Sequence, residues 1–190
     1  MVRRFQPRQW VAALCLALAA ICTAPASAAV EIRFYSKESG SSFPHAFVEL
    51  EGVDDRTGEK IHDNYGFTAT KISPAILLGS VTGDVMAVDE GYIRGSDRHF
   101  SFVLTDAEHD VVKATIDKWR NLKQPSYNLN RQNCVFFVAD VAASLGMRAD
   151  TPKALMKKPR SYTESLVAAN RTWLAARGAS MDQRYAAQGK

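Results

Sequence analysis

Cys134 is the residue best placed to do chemistry, because it stands where a polar stretch gives way to an apolar one. Amide side chains dominate positions 128–133, whereas apolar residues fill most of 135–145 before Gly146. This pattern predicts a mostly buried helix that begins at the cysteine and is closed by a left-handed glycine. Free N–H groups and the positive dipole end at a helix start favour a thiolate, so we expect a lowered cysteine pKa and a nucleophile.

The N-terminus has the pattern of a secretory signal peptide. Arginines precede an apolar stretch at 10–21, and small residues follow as far as Ala28. We expect cleavage after Ala28, with Ala29 as the second choice, and a periplasmic or secreted protein. The apolar stretch is shorter than the roughly 20 residues of a membrane-spanning helix, so no stable membrane anchor is expected after cleavage.

Removal of residues 1–28 changes the cysteine and charge balance. Cys15 and Cys22 leave with this segment, so Cys134 remains as a single thiol without a disulfide partner. Because an unpaired thiol is a liability in an oxidising compartment, we expect this one to be either functional or completely buried. Loss of three arginines lowers Lys+Arg from 24 to 21 against 20 Asp+Glu, so the net charge falls from +4 to about +1. Nothing then points to nucleic acid as a partner. We predict one domain at 29–178 and a disordered tail at 179–190.

Alternating apolar and polar residues predict the strands that must position the cysteine. They lie at 30–35, 45–51, 60–70 and 99–104, with a turn at 54–59. A regular hairpin would bring 65–67 roughly opposite His45, where Gly66 lets another group approach the ring closely. Further helices are predicted from the Thr105–Glu108 capping box and from Ser161, and a long excursion with one or two short strands is predicted at 74–95.

A catalytic thiolate needs a base, normally an imidazole, and often a third polar group that orients this base. His62 and His109 are expected to be solvated, the first beside a turn and the second on the polar side of a helix. His45 and His99 each open a strand, from which a side chain can point into a cleft. Composition alone does not choose between these two.

Three sequence blocks carry a resemblance to a known family. They are PHAFVEL at Pro44–Leu50, YGF at 65–67, and Y-N-L-x-x-x-N-C-x-x-F at Tyr127–Phe137. Over roughly residues 45–146 the chain resembles the circularly permuted NlpC/P60 papain-like superfamily, in its lecithin:retinol acyltransferase-like branch. The resemblance implies an α+β fold with a papain-like core, in which an antiparallel sheet packs on a central helix bearing the cysteine. It also implies that Cys134 is the nucleophile and His45 the general base.

The third catalytic residue stays open. In the resembled family a second polar residue often stands on the strand paired with the histidine strand, and here the nearest candidates are Asn64 and Thr68. Glu49 lies about 13 Å along the strand from His45, too far for contact. His99 on a later strand is slightly favoured, with Asn64 close behind.

A developing oxyanion also needs hydrogen-bond donors. The backbone amide of Cys134 is the natural donor, and the side chains of Asn128 and Gln132 are candidates beside it. No cofactor is expected. A zinc site of His45, His99 and Cys134 is disfavoured because no C-x-x-C or H-x-x-x-H spacing is present, so no metal is expected.

The leading hypothesis is an exported cysteine hydrolase, an amidase or peptidase, with peptidoglycan peptides as the expected substrate. One alternative is a thiol acyltransferase or lipid hydrolase of the same fold, which transfers or releases an acyl group. Such a protein would need an apolar surface near the site, and Ile76–Leu78 could supply it. The other alternative is a non-catalytic binding module in which Cys134 is only packed, since cysteine is often buried for packing alone.

Overall fold

Six strands form one antiparallel sheet in the computed structural model, which describes residues 29–38 and 43–183. The strands are β1 (Val30–Lys37), β2 (His45–Val53), β3 (Lys60–Ala69), β4 (Gly83–Met86), β5 (Asp97–Val103) and β6 (Ser180–Met181). Their order across the sheet is β4-β3-β2-β1-β5-β6. The predicted α+β class with an antiparallel sheet is therefore confirmed, whereas the predicted signal peptide at 1–28 lies outside the described residues.

The helices follow the sheet mainly in the second half of the chain. In the described part they are α1 (Ala75–Leu78), α2 (Glu90–Arg94), α3 (Asp106–Arg120), α4 (Cys134–Ser144), α5 (Pro159–Ala169) and α6 (Arg171–Ala176). The predicted capping box opens α3, because the Thr105 and Glu108 side chains each accept a backbone N–H from the other residue. Gly146 has φ +85° after α4, as the left-handed glycine prediction required.

One face of the sheet and the central helix make the main core. Ala46, Val48 and Leu50 alternate along β2 towards this face and are at most 1% exposed. Helix α4 is apolar nearly all round, because it packs on β2 and also on α3. The Trp119 ring of α3 meets the Phe137 ring edge to face at 5.6 Å. The cysteine-bearing helix is thus central and buried, as the sequence predicted.

Two segments are more structured than the sequence patterns indicated. The excursion at 74–95 contains α1, β4 and α2, with β4 paired to β3 from Gly66–Met86 to Ala69–Gly83. The predicted tail begins with β6, which pairs with Phe100 and Ser101 of β5. Residues 184–190 lie outside the described residues. Two-residue strands carry little sequence signal, so β6 becomes recognisable only once β5 offers its edge.

Candidate active site

Asn133 fixes the start of the helix that carries the cysteine. Its Oδ1 accepts a hydrogen bond from the Val135 N–H at 2.8 Å, which makes it the N-cap of α4. Its Nδ2 donates to the carbonyl oxygens of Leu129 and Met156, both at 2.9 Å. The amide of Asn133 is thus fully used in joining two loops to the helix start, and it positions Cys134.

The sulfur of Cys134 is buried, with 5% of the residue exposed. Backbone N–H groups of Ala46, Val135 and Cys134 itself favour its thiolate form. Burial outweighs these amides and raises the pKa of Cys134 to about 11. The predicted lowering of this pKa is wrong, because the loss of hydration destabilises the thiolate more than the backbone N–H groups stabilise it. The resting group is a neutral thiol.

The strand register explains why an amide of β2 is free to face the sulfur. The pairing of β2 with β3 runs from Val53–Lys60 to Val48–Tyr65 and ends there. The N–H of Ala46, two residues nearer the start of β2, faces the sulfur instead of a strand partner. The Ala46 amide that contacts the sulfur thus lies beyond the last β2–β3 pair.

His45 is the first residue of β2, and its ring lies against Gly66 of β3. A Cβ at position 66 would lie only 2.2 Å from Nε2 and 2.9 Å from Cε1 of His45. The imidazole also stacks on the Phe47 ring, with centroids 6.1 Å apart. The predicted close approach at Gly66 is thus confirmed. Although the residue is partly exposed, burial lowers the pKa of His45 to about 4, so its ring is neutral near pH 7.

Cys134 and His45 meet at the same end of β2. The sulfur faces the amide of Ala46, which follows His45 directly in the chain. His45 lines a cavity of about 200 Å³ and Cys134 lines one of about 190 Å³, and both cavities share Phe43, Pro44 and Tyr127. The His45 ring leans over Gly66 and makes no hydrogen bond to the sulfur within residues 29–38 and 43–183. Because successive strand residues point to opposite faces, the His45 side chain points away from the face on which Ala46 packs with the Cys134 helix, so the two groups share the end of β2 but line different cavities.

A scan against protein-family models found no match, and searches of curated proteins and of solved structures found none either. The function has to be inferred from the site itself.

The structure separates the candidates for a third catalytic residue. Thr68 lines the same cavity as His45. Both polar atoms of the Asn64 amide are taken by the backbone of Val88, at 2.7 and 3.0 Å. Asn64 also pairs with Glu49, about 13 Å along β2 from His45. The predicted role of Asn64 is therefore disfavoured, because it clamps the segment after β4 to β3.

His99 lies on the other side of the sheet from His45. Its Nε2 is 2.7 Å from the Ser36 hydroxyl, and the residue is fully buried. Ser36 pairs with Ala46 and Lys37 pairs with His45, and paired residues point to the same face while successive residues point to opposite faces. The sheet thus stands between the His99 contact and the His45 ring, which argues against His99 as the group that orients His45.

The proposed side-chain oxyanion donors differ in their surroundings. Asn128 donates from Nδ2 to the Ser80 hydroxyl at 3.1 Å, and its Oδ1 accepts from the Asn130 N–H at 2.9 Å. Gln132 pairs through its backbone with Asn128 and is half-buried. Asn128 therefore shapes the loop before α4. The backbone amide of Cys134 lies at the sulfur itself and remains the predicted oxyanion donor.

Two tyrosines near the sulfur complete the wall of the site. Burial raises the pKa of Tyr92 and of Tyr127, and the charge of a nearby Cys134 thiolate would raise both further. Tyr127 belongs to a sequence block noted above, but Tyr92 comes from α2 within the excursion. No periodic pattern surrounds Tyr92, so only the tertiary structure could bring it to the site.

A possible metal-binding group lies on the same sheet face as His45, farther along β2. Among the described residues, ligand atoms of Glu49, Glu51 and His62 lie within 4.8 Å of one another. Arg33 already forms ion pairs with Glu49 and with Glu51, and His62 pairs with Glu90 at 2.7 Å. These partners already occupy the side-chain atoms that would bind a metal ion. The predicted exposure of His62 is confirmed, since 59% of its side chain is accessible.

Proposed function

We propose that the protein is an exported cysteine hydrolase with a papain-like arrangement, in which Cys134 forms an acyl-thioester and His45 acts as its base. One observation carries this proposal: the buried thiol at the start of α4 faces the amide of Ala46, the residue directly after His45. A nucleophile and a base held at one end of a central strand are what acyl transfer through a thioester requires. The resemblance of the sequence blocks supports the same assignment.

The chemistry starts from a neutral pair. Substrate binding places a carbonyl carbon against Sγ, and the S–C bond forms as the thiol proton passes to His45. The bond to the leaving nitrogen or oxygen breaks, and that atom takes the proton from His45. Water then gives a proton to His45 and hydrolyses the thioester, which releases the acid and restores the thiol. The backbone amide of Cys134 donates to the developing oxyanion.

The ring of His45 must turn from Gly66 towards the sulfur for the first proton transfer. Catalytic hydrogen bonds are often long in a free enzyme and close in the substrate complex. Phe43 and Pro44 form the wall that the two cavities share, so a substrate seated there contacts both sides of the site. The tyrosines at positions 92 and 127 then bound the region that the acyl group enters.

A second candidate, a thiol acyltransferase or lipid hydrolase of the same fold, is favoured by the composition of the cavity walls. The cavity beside the sulfur is lined by Leu129, Val135, Met156 and other apolar residues. Lys157 is its single charged residue among those described. Such walls suit an apolar acyl chain better than a charged peptide. The preferred acyl group therefore separates the two candidates.

The test compares wild type with Cys134→Ala and Cys134→Ser on anilides and phenyl esters of short and long acyl chains, and on peptidoglycan peptides. We expect hydrolysis to fall by about 1,000-fold or more in both variants while the melting temperature stays near wild type. Intact-protein mass spectrometry should find the acyl adduct on wild type alone. Equal rates in wild type and Cys134→Ala would refute the proposal, and an adduct formed by long-chain esters alone would favour the second candidate.

A further inference from the structure

The exposed apolar side chains of this protein are concentrated around the candidate site. In the described residues, seven large hydrophobic side chains are exposed, and Val103 and Val111 are the two that lie elsewhere. The other five line the two cavities above or a third one that adjoins them. We name these five the apolar rim: Phe43, Ile72, Leu77, Leu78 and Met86.

The most exposed residues of the rim lie on the short helix α1, which is fixed to the core by Ile76. Leu77 and Leu78 in α1 are 75% and 90% exposed, whereas the neighbouring Ile76 is buried and joins the core. After α1, Val81 exchanges two backbone hydrogen bonds of 2.9 Å with Tyr127. The two leucines are therefore presented to solvent by a segment tied to the loop that leads to Cys134.

The charged side chains that line the three cavities are of one sign. No acidic residue is among the described residues that line the three cavities, and Lys157 lines two of them. Lys71 directly precedes Ile72 and is exposed. Arg131 reaches from the loop before α4 to the Ser80 hydroxyl, at 3.3 Å. Lys157 and Arg131 thus lie near the leucine pair.

We propose that the apolar rim docks this protein onto an anionic lipid surface, with Leu77 and Leu78 inserted among the acyl chains and Lys71, Arg131 and Lys157 at the phosphate groups. A few protruding apolar side chains with flanking cations are sufficient for reversible binding at a bilayer surface. A stable protein interface instead involves about 20–30 residues on each side, more than the five rim residues and their flanking cations provide. The docking does not depend on the proposed catalysis.

No helix in the described residues has the length and hydrophobicity needed to cross a membrane. The contact we propose is peripheral, and it would place the Cys134 cavity at the level of the lipid headgroups. The proposal is therefore about where the site is held, and the acyl group that it processes remains a separate question.

The first experiment is vesicle flotation of Cys134→Ala protein, so that binding is measured without turnover. The protein is purified as the host delivers it, and its N-terminus is determined by mass spectrometry. Vesicles contain phosphatidylcholine alone or with one third phosphatidylglycerol. The Leu77→Asp/Leu78→Asp variant is compared with Val103→Asp/Val111→Asp, which adds the same charge at exposed valines away from the rim. Lys157→Gln tests the electrostatic contribution.

We expect the parent to float with anionic vesicles, the leucine variant to bind about 100-fold more weakly, and the valine variant to bind like the parent. Lys157→Gln should weaken binding by about fivefold, and more salt should weaken it further. Hydrogen exchange should slow at residues 72–79 and stay unchanged at 106–120. Absence of anionic binding, equal binding by all variants, or a dimer that the leucine variant dissolves would each overturn the proposal.

Discussion

A histidine lies at each end of strand β2, and these two histidines differ in their partners. At the far end, Asp54 follows the strand and lies 3.4 Å from Nδ1 of His109, which is 3% exposed. Arg56 hydrogen-bonds to this carboxylate and lowers the pKa of Asp54 to about 2. At the near end, His45 faces Gly66, aromatic rings and a cavity, and no ion pair includes it within residues 43–183.

The difference separates a histidine held in an ion-pair cluster from the histidine that we propose as the base. His109 belongs to a cluster in which Arg56 joins Asp54 to Asp110 of α3, so the cluster fastens the β2–β3 turn to that helix. The polar groups of this cluster pair with one another. His45 keeps its proton-accepting capacity and lies beside a space that another molecule can enter. Burial of an imidazole without an ion-pair partner beside a cavity costs stability, and such groups are often functional.

Replacement of each histidine by alanine is the most direct test of this difference. His45→Ala should lower hydrolysis by about 1,000-fold and leave the free energy of unfolding near neutral pH almost unchanged, because an unpaired buried ring is removed. His109→Ala should leave hydrolysis unchanged and lower the free energy of unfolding by about 1–2 kcal/mol, since Asp54 loses a buried partner. Steady-state rates and urea unfolding measure the two effects. If the folded His109→Ala variant lost activity, the catalytic role would be assigned to His109 and not to His45.

Gly66→Ala tests whether the seat of the His45 ring matters for activity. The new methyl group would lie 2.2 Å from Nε2, so the ring has to move away. We expect hydrolysis to fall about tenfold or more and stability to fall by about 1–3 kcal/mol. Gly79→Ala is the matched control, because a Cβ there meets nothing within 4 Å and its φ of 172° is open to any residue. Equal effects of the two variants on the rate would remove His45 from the mechanism.

The reactivity of the thiol gives a smaller effect that depends on pH. Because the pKa of Cys134 is about 11 instead of the usual 9, alkylation by iodoacetamide in the folded protein should be slow at pH 7 and rise about tenfold per pH unit up to about pH 11. Unfolding at pH 7 should accelerate it by at least about 100-fold, from the two-unit difference alone. Mass spectrometry of the labelled protein measures this. Rapid labelling of the folded protein at pH 7 would mean a thiolate and contradict the neutral pair.

Much of the framework could be predicted from local sequence. The alternation at 45–51, the Thr105–Glu108 capping box and the polar-to-apolar change at Cys134 each describe groups that are close in the chain, and each prediction is confirmed. The approach of another group to Gly66 was likewise expected from one glycine in a predicted hairpin. Local patterns succeed here because capping and strand alternation depend on near neighbours.

The departures from the sequence-based expectations have a different origin. The helical pattern places His109 on the polar side of its own helix, but Asp54 from the 54–59 turn contacts it and it is buried. His99 is the slightly favoured orienting group from sequence, but its contact with Ser36 places its ring on the sheet face opposite to that of His45. Neither effect has a signature within a few residues of the histidine concerned.

The sequence by itself determined which residues are candidates for catalysis and which elements carry them: Cys134 at a helix start and His45 at a strand start, with Gly66 on the neighbouring strand. Only the tertiary structure decided their protonation, because desolvation depends on atoms from the whole chain and here outweighs the backbone N–H groups at the sulfur. It also decided that Leu77 and Leu78 stand exposed beside that site, since exposure is a property of the packed molecule and not of a residue type.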